Sequence, residues 1–313
     1  MKRIYLNNFD YMRLFLAAEV VYLHLVEAAT GATNVYLPIK PVPSFLALSG
    51  FMVLGSWHNS RSAGHFWRKR FLRVYPAFFA ALALVAFLFG LPGVRDALET
   101  YITLGYHAHR APNGPLWSLG NEEICYLGLT GLAFIGAYKK AYWIWPLAAI
   151  SYVLTVRVYK DPFWVQETEL LVAFFIGNLA YLHQQFLRKF ALPVAGVMVV
   201  ALWLIPPFQS VAIYYLTFCF KMVFMLALAL GPQIPFRLPI DLSYGIYIYH
   251  FPILSLFIEL GSPPAQLVPL TIVGTLGISI ASWFMIEKRA LALKDGPRPT
   301  KPDQSETPLV APN

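Results

Sequence analysis

Asp10-Tyr-Met-Arg-Leu-Phe-Leu-Ala-Ala-Glu-Val-Val-Tyr-Leu-His24 is a mostly apolar stretch that carries four ionisable groups, Asp10, Arg13, Glu19 and His24. A signal peptide would show a clean apolar core and then a small-residue cleavage site. This stretch has neither, so it reads as a permanent helix. In lipid each charged side chain costs at least about 2.5 to 3.5 kcal/mol on insertion scales, so groups of this kind line a cavity and mark a function. Arg13 and His24 stand eleven positions apart, close to three turns, and share a helix face. Asp10 joins them three positions before Arg13.

The rest of the chain points to the same solvent. Of 313 residues 58% are hydrophobic and 13% charged, and the mean hydropathy is +0.57, well above that of a soluble domain. About ten windows have the length and apolarity of spanning helices, near residues 9–28, 42–57, 74–92, 116–137, 141–159, 164–183, 190–206, 209–231, 241–260 and 266–286. The expected fold class is an all-α polytopic membrane protein, a bundle of about ten transmembrane helices with both termini cytoplasmic. With the N-terminus inside, 17 of the 24 Lys and Arg residues lie on the cytoplasmic side and five outside, in keeping with the positive-inside rule. The pI of 9.4 is thus a topology signal. Basic residues scattered over several loops do not form a nucleic-acid footprint. Residues 1–290 are expected to form the transmembrane domain. Residues 291–313 are polar and Pro-rich and are expected to be a disordered cytoplasmic tail. Cys125 and Cys219 both fall in predicted spans, with no metal spacing and no expectation of a disulfide.

Depth along the helices suggests which groups meet. Entering from the cytoplasm near Phe9, the chain reaches Arg13 about 6 Å in and His24 about 22 Å in, at about 1.5 Å per residue. The fourth window enters from the other side at Pro115-Leu-Trp-Ser-Leu-Gly-Asn-Glu-Glu-Ile-Cys-Tyr126, which puts Glu122 about 21 Å from the inner surface. His24 and Glu122 are therefore expected at one level. A carboxylate beside an imidazole orients it as a general base, or the two merely tie a pair of helices together. The basic segment His65-Phe-Trp-Arg-Lys-Arg-Phe-Leu-Arg-Val-Tyr-Pro76 brings Arg70 and Arg73 to one side of a helical start, where they either hold phosphates or only set topology. Ser44-Phe-Leu-Ala-Leu-Ser-Gly-Phe51 supplies small residues for close helix approach. Asp241-Leu-Ser-Tyr-Gly-Ile-Tyr-Ile-Tyr-His250 sets His250 about 13 Å deep, with Tyr244 and Tyr247 nearby.

Taken in order, these segments resemble the acyltransferase-3 family of bacterial membrane acyltransferases. Asp10-x-x-Arg13 followed by His24 is similar to the family's Arg-x10-His signature, and Phe45-Leu-Ala-Leu-Ser-Gly-Phe51 to its FFxLSGF segment. Arg70, Arg73 and Pro76 match its Arg-x-x-Arg with a following Pro, Pro115 to Tyr126 its PLWSLxxExxxY, and Ser243 to His250 its SYxxYxxH. The resemblance implies an acyl-CoA donor, acetyl-CoA first, taken from the cytoplasm, with no metal. It also implies a carbohydrate or lipid-linked glycan acceptor and a bacterial inner-membrane location among membrane lipids. Arg13, His24 and Glu122 are then expected at the chemistry, and Arg13, Arg68, Arg70 and Arg73 at the donor. Asp10, Trp117, Ser118, Tyr126, Tyr244 and His250 are expected to bind substrate or support the site. His24 would either deprotonate a hydroxyl or carry the acyl group itself. A homo-oligomer or a polysaccharide-synthesis partner also fits the resemblance. The rival from another class is a transporter or flippase of a glycan or glycolipid, with the buried charges lining its path.

Overall fold

Ser62 starts the longest helix of the chain's described residues. Its hydroxyl accepts from the backbone N–H of His65 at 3.1 Å, an N-cap, and the chain then runs in helix from Ala63 to Ile102. The computed structural model describes residues 6–32, 37–107, 111–206 and 209–294. Of the tail expected from 291 to 313, residues 295 to 313 lie outside them, as do Lys2, Arg3 and Arg110 of the charge count, whereas residues 291 and 292 are helical rather than disordered.

Among the described residues the structure is all-helical: α1 (Asn7–Thr30), α2 (Pro41–His58), α3 (Ala63–Ile102), α4 (Leu116–Phe134), α5 (Ile144–Arg157), α6 (Pro162–Leu182), α7 (Gln184–Lys189), α8 (Ala191–Leu204), α9 (Val211–Leu230), α10 (Ser243–Glu259), α11 (Pro264–Ser282) and α12 (Lys288–Ala292). A π-turn, Trp283–Glu287, joins the last two. Local chemistry explains several starts. Pro41 and Pro162 sit in the first turns of α2 and α6, where a missing N–H costs nothing, and Asp161 caps α6 by accepting from Phe163 and Trp164.

Among the described residues, three helices are long and apolar enough to cross a membrane: Ala63–Ile102, Val211–Leu230 and the run Pro264–Ala292. The outward surface is also apolar, with Phe87 85% and Trp203 82% exposed, which suits lipid contact better than water. This is a membrane protein. Two windows are shorter than hydropathy suggests. α5 and α8 have 14 residues each and rise about 21 Å, less than a hydrocarbon core of about 30 Å. α3 is longer than its window of 74–92, because the basic segment before residue 74 is helical from Ala63, where Ser62 caps it. Gly90, at φ 70°, ends the straight part of α3, and Leu91–Ile102 continues in a new direction.

The core lies where α2, α6 and α9 meet, around Leu48, Leu54, Phe174, Met222 and Met225. α2 and α6 touch backbone to backbone. A Cβ on Gly50 would stand 2.2 Å from the carbonyl oxygen of Phe174, and one on Gly177 2.0 Å from that of Ala47. The small residues of the Ser44–Phe51 segment thus do the packing work expected of them. Lys40 Nζ bonds both carboxylate oxygens of Glu169 at 2.7 and 2.9 Å, fixing the start of α2 to α6. Glu123 ties α4 to both parts of α3 by accepting from the hydroxyls of Tyr75 and Tyr101.

Candidate functional site

α1, α2, α3, α4 and α10 enclose a cavity of about 300 Å³. Its basic end is built on Asp241, in the link before α10. Oδ1 of Asp241 accepts from the backbone N–H of Ser243 at 3.3 Å and from its hydroxyl at 2.7 Å, which orients the carboxylate. Oδ2 is left to accept from Arg13 Nη1 at 3.0 Å and Arg73 Nη2 at 2.7 Å. Burial alone would raise the Asp241 carboxyl, but the guanidiniums of Arg13 and Arg73 beside it hold it well below the usual carboxylate range. One fixed anion therefore positions two arginines from different helices at the cavity mouth.

Arg70 differs from its two neighbours. It lines the cavity, donates Nη2 to Ser56 Oγ at 3.3 Å, and lies 5.9 Å from the ring of Tyr126, yet it makes no ion pair among the described residues. Its Nε is buried without a hydrogen-bond partner. A buried guanidinium N–H left unsatisfied suits an anionic ligand. Arg68 points elsewhere: its Nη2 donates to the carbonyl of Leu293 at 3.1 Å, and it lines a neighbouring cavity between α3 and α4 rather than the central one. α3 turns by about 100° per residue, so Arg68 cannot share the face of Arg70 and Arg73.

Glu122 lines the same central cavity, but its partners are Ser49 Oγ and the Tyr126 hydroxyl, both at 2.5 Å. His24 pairs instead with His250, Nδ1 to Nε2 at 2.9 Å, the rings stacked at 5.1 Å. The pairing with Glu122 expected from depth is not formed, and the partner comes from α10, whose His250 is expected several ångströms shallower, because α10 packs directly on α1. The hydrogen bonds assign the tautomers. His250 Nδ1 is 2.8 Å from the carbonyl of Tyr247 and 3.2 Å from that of Ile246, so it carries the proton. Nε2 of His250 is then the acceptor, His24 Nδ1 the donor, and His24 Nε2 bears the free lone pair.

The cavity stops one layer short of this pair. Tyr247 and Ser118 close it, hydrogen-bonded to each other, and the Tyr247 ring lies 6.2 Å from that of His250. Tyr244 also lines the cavity and donates to the carbonyl of Val74 at 2.9 Å. Asp10, in the first turn of α1, and Trp117, packed over Gly105, are outside the lining. Reading the sequence overlooked Asp241 as a site residue, although Asp-Leu-Ser at a helix start is an N-cap pattern. Lys294 also reaches the cavity, and one lysine among 24 basic residues carried no signal. Among the described residues no group of three or more His, Cys, Asp or Glu is placed to hold a metal ion.

Residues 6–287 match the family described as an acyltransferase domain. The chain belongs to the acyltransferase-3 family. It is 26% identical to "Nodulation protein 10" of Rhizobium leguminosarum bv. viciae, over 92% of this chain and 94% of that protein. It is 27% identical to the "O-acetyl transferase" of Shigella phage Sf6, over 91% of this chain and 96% of that protein. No solved structure gives a significant match. As a member of the acyltransferase-3 family it is a membrane acyltransferase.

Proposed function

We propose that this acyltransferase takes an acetyl group from cytoplasmic acetyl-CoA and transfers it to a hydroxyl of a carbohydrate or lipid-linked glycan in the bacterial inner membrane, as a multi-pass protein. The observation that carries the reading is the pair of features at opposite ends of one axis: a basic cavity mouth with an unsatisfied Arg70, and His24 with a free Nε2 lone pair. On α1 they are separated by the rise from Arg13 to His24, about 16 Å, which suits the pantetheine arm of a CoA thioester. The "O-acetyl transferase" name of one relative supports transfer of acetyl to oxygen.

In this reading Arg70, Arg13 and Arg73 hold donor phosphates, which Arg does well through paired N–H bonds. The same reading has the basic end face the cytoplasm, which the distribution of Lys and Arg supports. The acceptor hydroxyl comes to His24 from the other side, where the imidazole is half exposed. His24 Nε2 removes the hydroxyl proton as the oxygen attacks the thioester carbonyl. The C–S bond then breaks, and the thiolate takes the proton back from His24, leaving an ester and free CoA thiol. His250 keeps Nδ1 of His24 protonated and Nε2 basic. Glu122 stays with Ser49 and Tyr126 in the cavity wall and supports the donor channel. Tyr247, between cavity and imidazole, moves aside for the thioester.

The test is to incubate purified protein with radiolabelled acetyl-CoA and a membrane glycolipid extract. Label should enter a glycan fraction in alkali-sensitive ester linkage, with thiol release that needs the acceptor. Thiol release that is independent of acceptor, with no labelled product, overturns the reading.

A further inference from the structure

α11 does not end at the cavity mouth. The π-turn Trp283–Glu287 continues it into α12, which brings the chain to Leu293 and Lys294 at the basic end. Arg68 holds that end in place through the Leu293 carbonyl at 3.1 Å. Lys294 is thereby delivered into the central cavity, half-buried, opposite the arginines. Of the charged groups lining this cavity, Arg13, Arg70, Arg73 and Lys294 face only Asp241 and Glu122. Asp241 is already engaged by two guanidiniums and Glu122 by two hydroxyls, so neither is available to neutralise Lys294.

We infer that Lys294 is a fourth cation of the donor site among the described residues and ligates a phosphate group of the donor. The inference rests on the acyl-CoA reading above and adds to it a ligand from the C-terminal helix. An ammonium placed among three guanidiniums without a carboxylate of its own is held at an electrostatic cost that a bound phosphate removes. Burial first, and then Arg73, Arg70 and Arg13, push the Lys294 ammonium down to about 7 in the unliganded protein, with Asp241 opposing. The groups that share the cavity with it are Arg70 and Arg73 of α3, Arg13 and Asp241 across the mouth, and Glu122, Tyr126, Tyr244 and Tyr247 deeper in, while Arg68 bonds the adjacent Leu293 carbonyl and Glu287 of the π-turn interacts with Arg73, Asp241 and Arg13. Donor binding should restore the ammonium, so phosphate binding and proton uptake are linked at this residue. The sign follows. Lys294 is charged without ligand below about pH 7 and neutral above it, so donor affinity falls as pH rises.

The experiment is calorimetric titration of CoA into detergent-purified wild type, Lys294→Arg and Lys294→Gln at pH 6.5 and pH 9. Wild-type affinity should fall roughly tenfold between the two pH values, since a lysine that titrates near 7 loses its charge across that range. Lys294→Arg, which stays charged, should bind about equally at both pH values beyond the small drift of CoA itself, and roughly tenfold more tightly than wild type at pH 9. Lys294→Gln should bind weakly at both. Identical pH profiles for wild type and Lys294→Arg would overturn the inference and leave the donor reading standing. Absence of CoA binding by wild type would remove the donor reading and this inference with it. The Arg comparison decides the matter even if the Gln variant fails to fold.

Discussion

Nδ1 of His24 lies 2.9 Å from Nε2 of His250, and His250 is anchored in turn by the carbonyl of Tyr247 at 2.8 Å. Two imidazoles and a backbone carbonyl thus form a relay in which the last acceptor, being a carbonyl, has no proton to give. The direction of every proton in the chain follows from that one fact. It leaves the basic atom of His24 at Nε2.

His24→Ala should lower turnover with acetyl-CoA by about 10²- to 10⁴-fold, the contribution of general-base catalysis. His250→Ala should cost about 10- to 100-fold in kcat with the KM for acetyl-CoA little changed, since it removes tautomer control without touching the donor. Steady-state kinetics on variants with wild-type melting temperature checks both. A His250→Ala enzyme with full kcat would show that the relay does not orient His24.

Arg70→Gln should raise the KM for acetyl-CoA by about 10-fold or more, the loss expected for a charge-assisted phosphate contact. Its melting temperature should hold, because the wild-type guanidinium makes no ion pair and leaves Nε unsatisfied. The same variant unfolding well below wild type would mark Arg70 as a structural residue.

Asp241→Asn leaves Arg13 and Arg73 facing each other without their shared anion. Losing one partner of a buried pair costs about 3 to 5 kcal/mol, and the partial exposure of Asp241 reduces that to about 2 kcal/mol. The pH dependence has a definite sign. The carboxyl is held below its usual range, so its stabilisation is complete above about pH 4, the unfolded value, and is lost only as pH falls further through the folded one. Thermal unfolding in detergent should therefore show the same wild-type minus Asp241→Asn difference at pH 7 and pH 5. A difference that vanishes by pH 5 would contradict it.

Gly50→Ala or Gly177→Ala should destabilise the α2–α6 contact by about 1 to 3 kcal/mol or more, because the methyl group meets a carbonyl oxygen rather than a side chain that can turn away. Gly128→Ala on α4, with nothing within 4 Å, is the control and should be neutral or slightly stabilising. Equal melting temperatures for all three variants would show that α2 and α6 separate readily.

The amino-acid sequence by itself determined the solvent, the helical class and the family. Apolar length and the spacing of charges report on lipid and helix faces, and both are local properties of the chain. It also marked Arg13, His24, Arg70 and Arg73, since three residues or eleven along a helix place side chains on one face whatever surrounds it. Partners could not be read this way. His24 pairs with His250, 226 residues away, and Arg13 with Asp241, 228 away, because α10 packs on α1. Glu122 is matched to His24 by depth alone, but depth fixes only one coordinate, and its neighbours are Ser49 and Tyr126. The reach of Lys294 into the cavity depends on a π-turn and on one hydrogen bond from Arg68, both set by packing. Spacing along a helix is covalent and so is written in the sequence, whereas which two helices touch is decided by the whole bundle at once.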